Sequence, residues 1–526
     1  MKLTPIIGLE IHVQLKTKSK MFCGCDNSGE NQKPNTTVCP VCMGHPGVLP
    51  VANRQAIEWS VMSALALNCQ IPEISKFDRK SYFYPDLPKN YQISQYDQPI
   101  GLKGYLDIET KTGSRKIGIT RLHLEEDAAK NFHSADGSPR FARLNSESER
   151  AGEAGKNTLV DYNRSSTPLM EIVTEPDLRT PAEAKIFAQE LRLIMRYLGV
   201  SDADMEKGHL RCDANVSLTD QPTDKIEFEK LSPKTEIKNI NSFKAVEKAL
   251  EYEIKRQTEL WEKNQAPKQQ TTRGWDENKG ITEEQRTKEE ASDYRYFPEP
   301  DLPPLNFKPG AENAIDVKAL RDSLIELPQA KRQRFITEYD LSAENAKILS
   351  DDKTLASFFE HAISELRAWL IALGETEGTE EEIWQKNKGK LSKLAANWLI
   401  NKLLAITHKD ASAELKITPE NFAEFITIVY QNKVNSTIAQ KLLEKMHQTG
   451  KDPSVIMDEE DLTKSQDSGS LEIIIEKIIA ANPKQVGQYK KGKTTLIQFF
   501  VGQIMRETKG QADPSQIKDI LTNKLQ

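Results

Sequence analysis

Three runs in the first half of the chain alternate apolar and polar side chains with a period of two. That pattern restricts the region to β-sheet with two unlike faces. In IIGLEIHVQL, Leu9, Ile11, Val13 and Leu15 share one face, and Glu10, His12 and Gln14 share the other. In GITRLHLEED, Leu122 and Leu124 point to a core, and Arg121, His123, Glu125 and Asp127 lie opposite. In HLRCDANVSL, Leu210, Cys212, Ala214, Val216 and Leu218 are apolar, whereas Arg211, Asp213, Asn215 and Ser217 face away. A fourth strand, Leu169–Val173, sets Glu171 among apolar neighbours on its own face, where a carboxylate needs a cation or a hydrogen bond. A single polar face is ordinarily the wet side of a sheet. Wet faces favour Lys, Thr and Glu, however, and these carry His, Asp and Asn as well. Carboxylates with an imidazole are oxygen and nitrogen ligands suited to Mg²⁺ or Mn²⁺, provided the strands are neighbours.

The texture changes at DYRYFPEPDLPPL, Asp293 to Leu305, whose prolines continue neither a helix nor an interior strand and so mark a linker. From Asp316 onward the period is helical. Expected domains are 1–297, 298–455 and 456–526. Thr180-Pro181-Ala182-Glu183 reads as a capping box, opening a helix that Gly199 stops. Gly374 to Lys390, polar and acidic at its start, reads as an exposed loop or insertion.

Cys23 and Cys25 form C-x-C, and Cys39 and Cys42 form C-x-x-C, four of the six cysteines within one short stretch. Four thiolates at such spacings suit a tetrahedral zinc with no open position, hence a structural one; the alternative is a metal-free thiol cluster. The start of the chain resembles neither a secretory signal nor a transit peptide, and no run approaches about 18 apolar residues, so a cytoplasmic protein beginning near Met1 is expected, with no membrane partner. The formal charge, 72 − 78 = −6, excludes a protein that merely coats nucleic acid; any RNA contact must use local patches.

Two further segments carry cations. In SKFDRKSYFYPDLPKNYQISQYDQPIG, Lys76, Arg79, Lys80 and Lys89 are interleaved with Tyr82, Tyr84, Tyr91 and Tyr96. That mixture suits a phosphate with an aromatic or ribose partner, or else a tyrosine-rich loop packed on a sheet edge. Gly487 to Thr494 matches G-x-x-x-x-G-K-T literally, but a phosphate-binding loop follows a buried strand, and the residues before it read as a helix ended by Pro483. The lysines around it, Lys490, Lys491, Lys493 and Lys509, with Arg506, instead suit an RNA backbone.

Taken together, IGLEIHVQLKTKSKMFCGC, CPVCMGHPGVLPVAN, GITRLHLEEDAAK, VDYNRSSTPLMEIVTEPDLRTPAEA, HLRCDANVSL, TEIKNINSF, DYRYFPEPDLPPL and VGQIMRETKGQADP resemble the B subunits of the tRNA-dependent glutamyl/aspartyl amidotransferases, over essentially the whole chain. The resemblance implies an α+β fold: an antiparallel-sheet cradle with helices, an all-α domain and a small all-α tail. It implies a ligase whose other members, the glutaminase and a small clasping protein, are this chain's partners. Such a B subunit uses ATP to phosphorylate the Glu or Asp side chain on a mischarged tRNA and admits ammonia to displace the phosphate. By the same resemblance Glu10, His12, Glu125 and Glu171 hold Mg²⁺, and Asp213 and Asn215 serve a second metal or the nucleotide. Arg79, Lys80 and Lys89 then meet phosphate or line the ammonia exit, Cys23, Cys25, Cys39 and Cys42 hold Zn²⁺, and the tail binds tRNA. The competing readings are a non-catalytic tRNA scaffold and a ligase for small carboxylates. ATP turnover that depends on mischarged tRNA separates both from the first.

Overall fold

The computed structural model describes residues 3–133, 158–222, 226–227, 231–288, 294–372, 379–407, 415–460, 462, 468–508, 512 and 514–525. The alternating runs become strands of one eight-stranded sheet. In chain order these are β1 Thr4–Gln14, β2 Gly101–Thr110, β3 Gly113–Glu126, β4 Pro168–Thr174, β5 Leu210–Thr219, β6 Thr235–Lys238, β7 Gln270–Asp276 and β8 Ile281–Lys288. In space they run β8-β7-β6-β5-β1-β4-β3-β2. Every neighbouring pair is antiparallel except β6 and β7. Parallel neighbours need a crossover, and the helix Phe243–Glu262 lies between those two strands in the chain.

One sheet face is covered by helices. Leu9, Ile11 and Val13 of β1 join Ile172, Leu122 and Ala214 in a core with Phe187, Leu191 and Ile194 of the helix Pro181–Leu198 and Val246 and Leu250 of Phe243–Glu262. Each such fully buried large side chain contributes about 1.5–3 kcal/mol, so the register that buries them strongly outweighs a one-residue slip. Gly199 stops its helix at φ +72°, a left-handed conformation that glycine adopts without strain. The expected capping box there is only half formed. Thr180 Oγ1 accepts the Glu183 N–H, but the Glu183 carboxylate accepts from the Arg179 N–H and pairs with Arg115 instead of returning to Thr180.

The core also holds one charged knot. Glu253 is fully buried and accepts from Arg256 at 2.6 and 3.0 Å, Gln257 at 2.9 Å and Thr282 at 2.9 Å. Removing the carboxylate leaves Arg256 without its partner, so Glu253→Ala is expected to destabilise this unit by about 3–5 kcal/mol. A melting or urea midpoint unchanged from wild type would contradict that.

The expected linker folds back on the sheet domain. Phe297–Pro298 pairs with Arg79 and Asp78, and Leu305–Asn306 pairs with Ser75 and Ile74. A proline is tolerated because this is a two-residue edge pairing. The chain divides into compact units at Met1–Leu327 and Pro328–Gln526, later than the boundary expected at 297. The second unit is all helical among its described residues, with one core from Phe335 to Met457 and another from Leu471 to Leu525.

The loop expected at Gly374 to Lys390 is corrected. Its beginning, 374–378, lies outside the described residues, and from there Thr379 caps a helix Glu380–Trp398 with a complete capping box to Glu382. The acidic run Glu380-Glu381-Glu382 sits in the first turn, where the helix dipole favours negative charge.

Candidate functional site

The polar face of the sheet opens into a cavity of about 620 Å³. Strand register builds its floor. Arg211 on β5 stands opposite His12 on β1, His12 opposite Glu171 on β4, and Glu171 opposite His123 on β3. Directly opposed residues have Cβ atoms about 5 Å apart, so four strands place these side chains in one row. Glu10 lies two residues along β1 opposite Asp213, and Glu125 two residues along β3.

The row is tightly coupled. His12 Nε2 stands 3.4 Å from Glu171 Oε2, 3.6 Å from Glu125 Oε1 and 4.0 Å from Glu10 Oε1. His123 Nε2 stands 3.4 Å from the same Glu171 oxygen. Burial opposes a charge on His12, yet the hydrogen bond and charge of Glu171, with Glu125, outweigh it and hold the imidazole up at about 9. Burial likewise opposes ionisation of Glu171, but His123, His12 and Lys80 hold it well below the usual carboxylate range. Glu10 is pushed up, by burial and by the like charge of Glu171.

Two sets of donors lie close enough together to hold a metal. Ligand atoms of Glu10, His12 and Glu171 lie within 4.8 Å of one another, as do those of His123, Glu125 and Glu171. Hard carboxylate oxygens with imidazole nitrogen match Mg²⁺ or Mn²⁺. Around them stand cations. Lys80 lines the cavity and is raised, because Glu125, Tyr296 and Glu171 outweigh its burial. Lys238, which also lines the cavity, reaches Asp213 at 2.7 Å and Glu236 at 3.2 Å. Tyr82, Tyr96, Tyr294 and Tyr296 form an aromatic wall, with Tyr96 and Tyr296 stacked at 4.2 Å.

Other expected site residues lie elsewhere. Arg79 lies outside the lining; its strand neighbour Lys80 takes the inward position, because adjacent strand residues point to opposite faces. Arg79 forks onto the buried Glu299 at 2.7 Å and lies over the Tyr91 ring. Lys89 is paired with Glu126 and also lies outside the lining. Asp213 lines the cavity. Asn215 lies beyond it, opposite Gly8, with a buried Oδ1 that has no partner among the described residues. Glu236, Lys238, Asn239, Tyr294 and Tyr296 were not singled out from the sequence. The alternation in TEIKNINSF does set Glu236 and Lys238 on one face, which is a usable signal.

Cys23, Cys25, Cys39 and Cys42 converge, their four sulfurs within 4.8 Å of one another. A tetrahedral zinc with bonds of about 2.3 Å needs sulfurs about 3.8 Å apart, so the set fits after a small contraction. The Cys39 N–H donates to the Cys42 sulfur at 3.1 Å. Against the effect of burial, neighbouring Cys23, the Cys39 N–H and Lys20 hold Cys42 down at about 5, while Cys23 is pushed up by Cys42 and by burial.

In the tail, the segment Gly487 to Thr494 spans the end of a helix, Pro483–Lys490, a turn, and the start of a 3₁₀ turn at Thr494. A helix, Ser468–Ala481, precedes it where a phosphate-binding loop requires a strand. Lys490, Lys491, Lys493 and Arg506 lie at the surface of this unit; Lys509 lies outside the described residues.

Residues 5–312 match the GatB/GatE catalytic domain family, and residues 381–525 match the GatB domain. The B subunit of the aspartyl/glutamyl-tRNA(Asn/Gln) amidotransferase of Carboxydothermus hydrogenoformans is 44% identical over 526 residues, covering 99% of this chain and 98% of that protein. The corresponding B subunit of Dehalococcoides mccartyi strain 195 is 45% identical over 527 residues, 99% and 98% of the two chains. That of Caldanaerobacter subterraneus subsp. tengcongensis is 45% identical over 528 residues and covers 100% of both.

Proposed function

We infer the chemistry of this chain from the family to which it belongs, the B subunits of the aspartyl/glutamyl-tRNA(Asn/Gln) amidotransferases. It is the transamidating component of a ligase-type enzyme that acts on tRNA-linked Glu or Asp. Its partners are the glutaminase and a small third protein, and its place is the cytoplasm beside translation. Among the described residues no helix is long and apolar enough to cross a membrane.

A carboxylate is a poor acyl donor because its leaving group is oxide. The side-chain carboxylate of the tRNA-bound Glu or Asp therefore attacks the γ-phosphorus of ATP, and ADP departs. Ammonia then attacks the acyl carbon, phosphate leaves, and the nitrogen sheds a proton to give the amide. Phosphoryl transfer needs positioning and charge neutralisation more than covalent help. The row of His12, Glu171 and His123, with Glu10 and Glu125, is the observation that carries this reading. When bound there, Mg²⁺ supplies charge neutralisation at the phosphates. Lys80 and Lys238 flank the row and face the same anionic substrate, and the tyrosine wall offers a surface for a base or ribose. Glu171 keeps both imidazoles oriented, and Asp127 anchors Arg211 at 3.0 Å. Four thiolates at the cysteine cluster hold a structural Zn²⁺.

The deciding measurement is ATP hydrolysis by the assembled complex with and without Glu-tRNA(Gln). Hydrolysis that ignores the tRNA, or none in its presence, would overturn the proposal. The tail cations give a second, smaller expectation. Lys493→Ala should weaken tRNA binding by about 1 kcal/mol and reduce its salt dependence by about one unit, leaving turnover at saturating tRNA nearly unchanged. Loss of ATP binding in that variant, with tRNA affinity intact, would move the kinase site to the tail.

A further inference from the structure

Lys20 is fully buried, a rare position for a lysine without a carboxylate partner. Its Nζ lies 3.9 Å from Cys42 Sγ and 3.4 Å from the Tyr162 carbonyl oxygen. Among the described residues, no carboxylate comes within ion-pair distance of it. Were all four sulfurs of the cluster neutral, this ammonium would be an unpaired buried charge, which folded proteins avoid.

The cluster itself can supply the missing charge. A divalent zinc with four thiolates carries a net charge of −2, and burying that charge is unfavourable unless donors and cations surround it. Cys42 is the buried member of the four, and the Cys39 N–H already donates to its sulfur at 3.1 Å. Lys20 brings a further donor, and among the described residues no other Lys or Arg is hydrogen-bonded to that sulfur. Its position is fixed on both sides. The Lys20 N–H bonds to the Cys25 carbonyl at 3.0 Å, and the following Met21 N–H bonds to the Ser166 carbonyl at 2.7 Å.

We propose that Lys20 is the counter-ion of the four-cysteine metal site: its buried ammonium compensates the anionic thiolates and sets how firmly the metal is held. The proposal rests on the zinc reading above. It also ties the metal loop to the turn Tyr162–Arg164, through the carbonyl that shares the ammonium. From that turn Arg164 reaches Asp127, on the cavity wall, at 3.5 Å. Charged and hydrogen-bonded partners behind metal ligands typically change metal affinity by about 10–100-fold when removed.

The test uses the purified full-length chain loaded with zinc and follows zinc release into excess colorimetric chelator. Lys20→Met keeps the volume of the stem and drops the charge, so a role in packing alone predicts unchanged release. The expected result is release roughly 10–100-fold faster than wild type. Should Lys20→Met not fold, Lys20→Gln retains a hydrogen-bond donor without the charge, and it too should release zinc faster. Wild-type release rates in the folded variant would overturn the proposal while leaving the zinc site standing. Wild-type protein that carries no zinc at all would overturn both.

Discussion

Glu171→Gln is expected to abolish tRNA-dependent ATP hydrolysis and amidation, by roughly 10³-fold or more, while glutamine hydrolysis by the partner glutaminase stays near wild type. Glu171 is shared by both donor sets, and both imidazoles stand 3.4 Å from one of its oxygens. The amide keeps the volume but neither the charge nor the two-oxygen acceptor. It therefore removes a proposed metal ligand and also releases His12 and His123 from their orientation. Steady-state ATPase and amidation assays on the complex check this, and near-normal turnover would take Glu171 out of the site. A pH dependence accompanies it. His12 in the metal-free protein titrates near 9, so at neutral pH a metal must displace a proton to reach its nitrogen. Mg²⁺ or Mn²⁺ affinity should thus rise with pH, by up to about tenfold per unit below 9, and level off above it. Calorimetric titration in buffers of different ionisation heat measures the proton released. In His12→Asn that release should shrink.

Cys42→Ser is expected to empty the zinc site, taking the metal from about one per chain to nearly none. Cys42 is the buried member of the four cysteines proposed to hold zinc, and its sulfur is the point on which the Cys39 and Lys20 contacts converge. A serine hydroxyl is much less acidic than a thiol and offers a harder oxygen donor than a thiolate sulfur. Structural zinc in small domains contributes about 10–16 kcal/mol of apparent folding free energy. Here the loop leans on a large sheet domain, since Val51 N–H bonds to the Phe22 carbonyl at 3.0 Å and Asn53 N–H to the Met21 carbonyl at 2.8 Å. The loss should therefore appear first as local protease sensitivity around residues 23–42 and lower solubility, before the rest of the unit melts. Elemental analysis under reducing conditions and limited proteolysis read the two effects. Full zinc in Cys42→Ser would show that the ion is held by other residues.

Much of this was readable because local chemistry is periodic. The alternation in β1 told which of Glu10, Ile11 and His12 face together before any partner strand was known. The same rule applied to Asp78–Ser81 would have separated Arg79 from Lys80, yet both were expected to meet phosphate. Glu236 and Lys238 share one face of a four-residue strand, so their alternation is legible, but only the pairing of that strand with Ala214, Asn215 and Val216 brings the face to the cavity. The run from Glu380 has the composition of an exposed loop because its first turn is all acid, although Thr379-x-x-Glu382 is itself a capping-box pattern, and the structure closes that box and starts the helix there.

The sequence by itself determined the faces: apolar and polar sides of each strand, the cysteine spacing, the helical second half and the family likeness. These follow from covalent geometry, since side chains alternate along a strand and recur every 3.6 residues on a helix whatever the neighbours are. Only the tertiary structure decided which polar faces meet. The neighbours of β1 come from about 160 and 200 residues further along the chain, and their register sets His12 between Glu171 and Arg211. Nothing local encodes that pairing. It is selected by burial of the opposite face, where Ile11, Ile172 and Cys212 must pack against helices, and the charged row is brought together as a consequence.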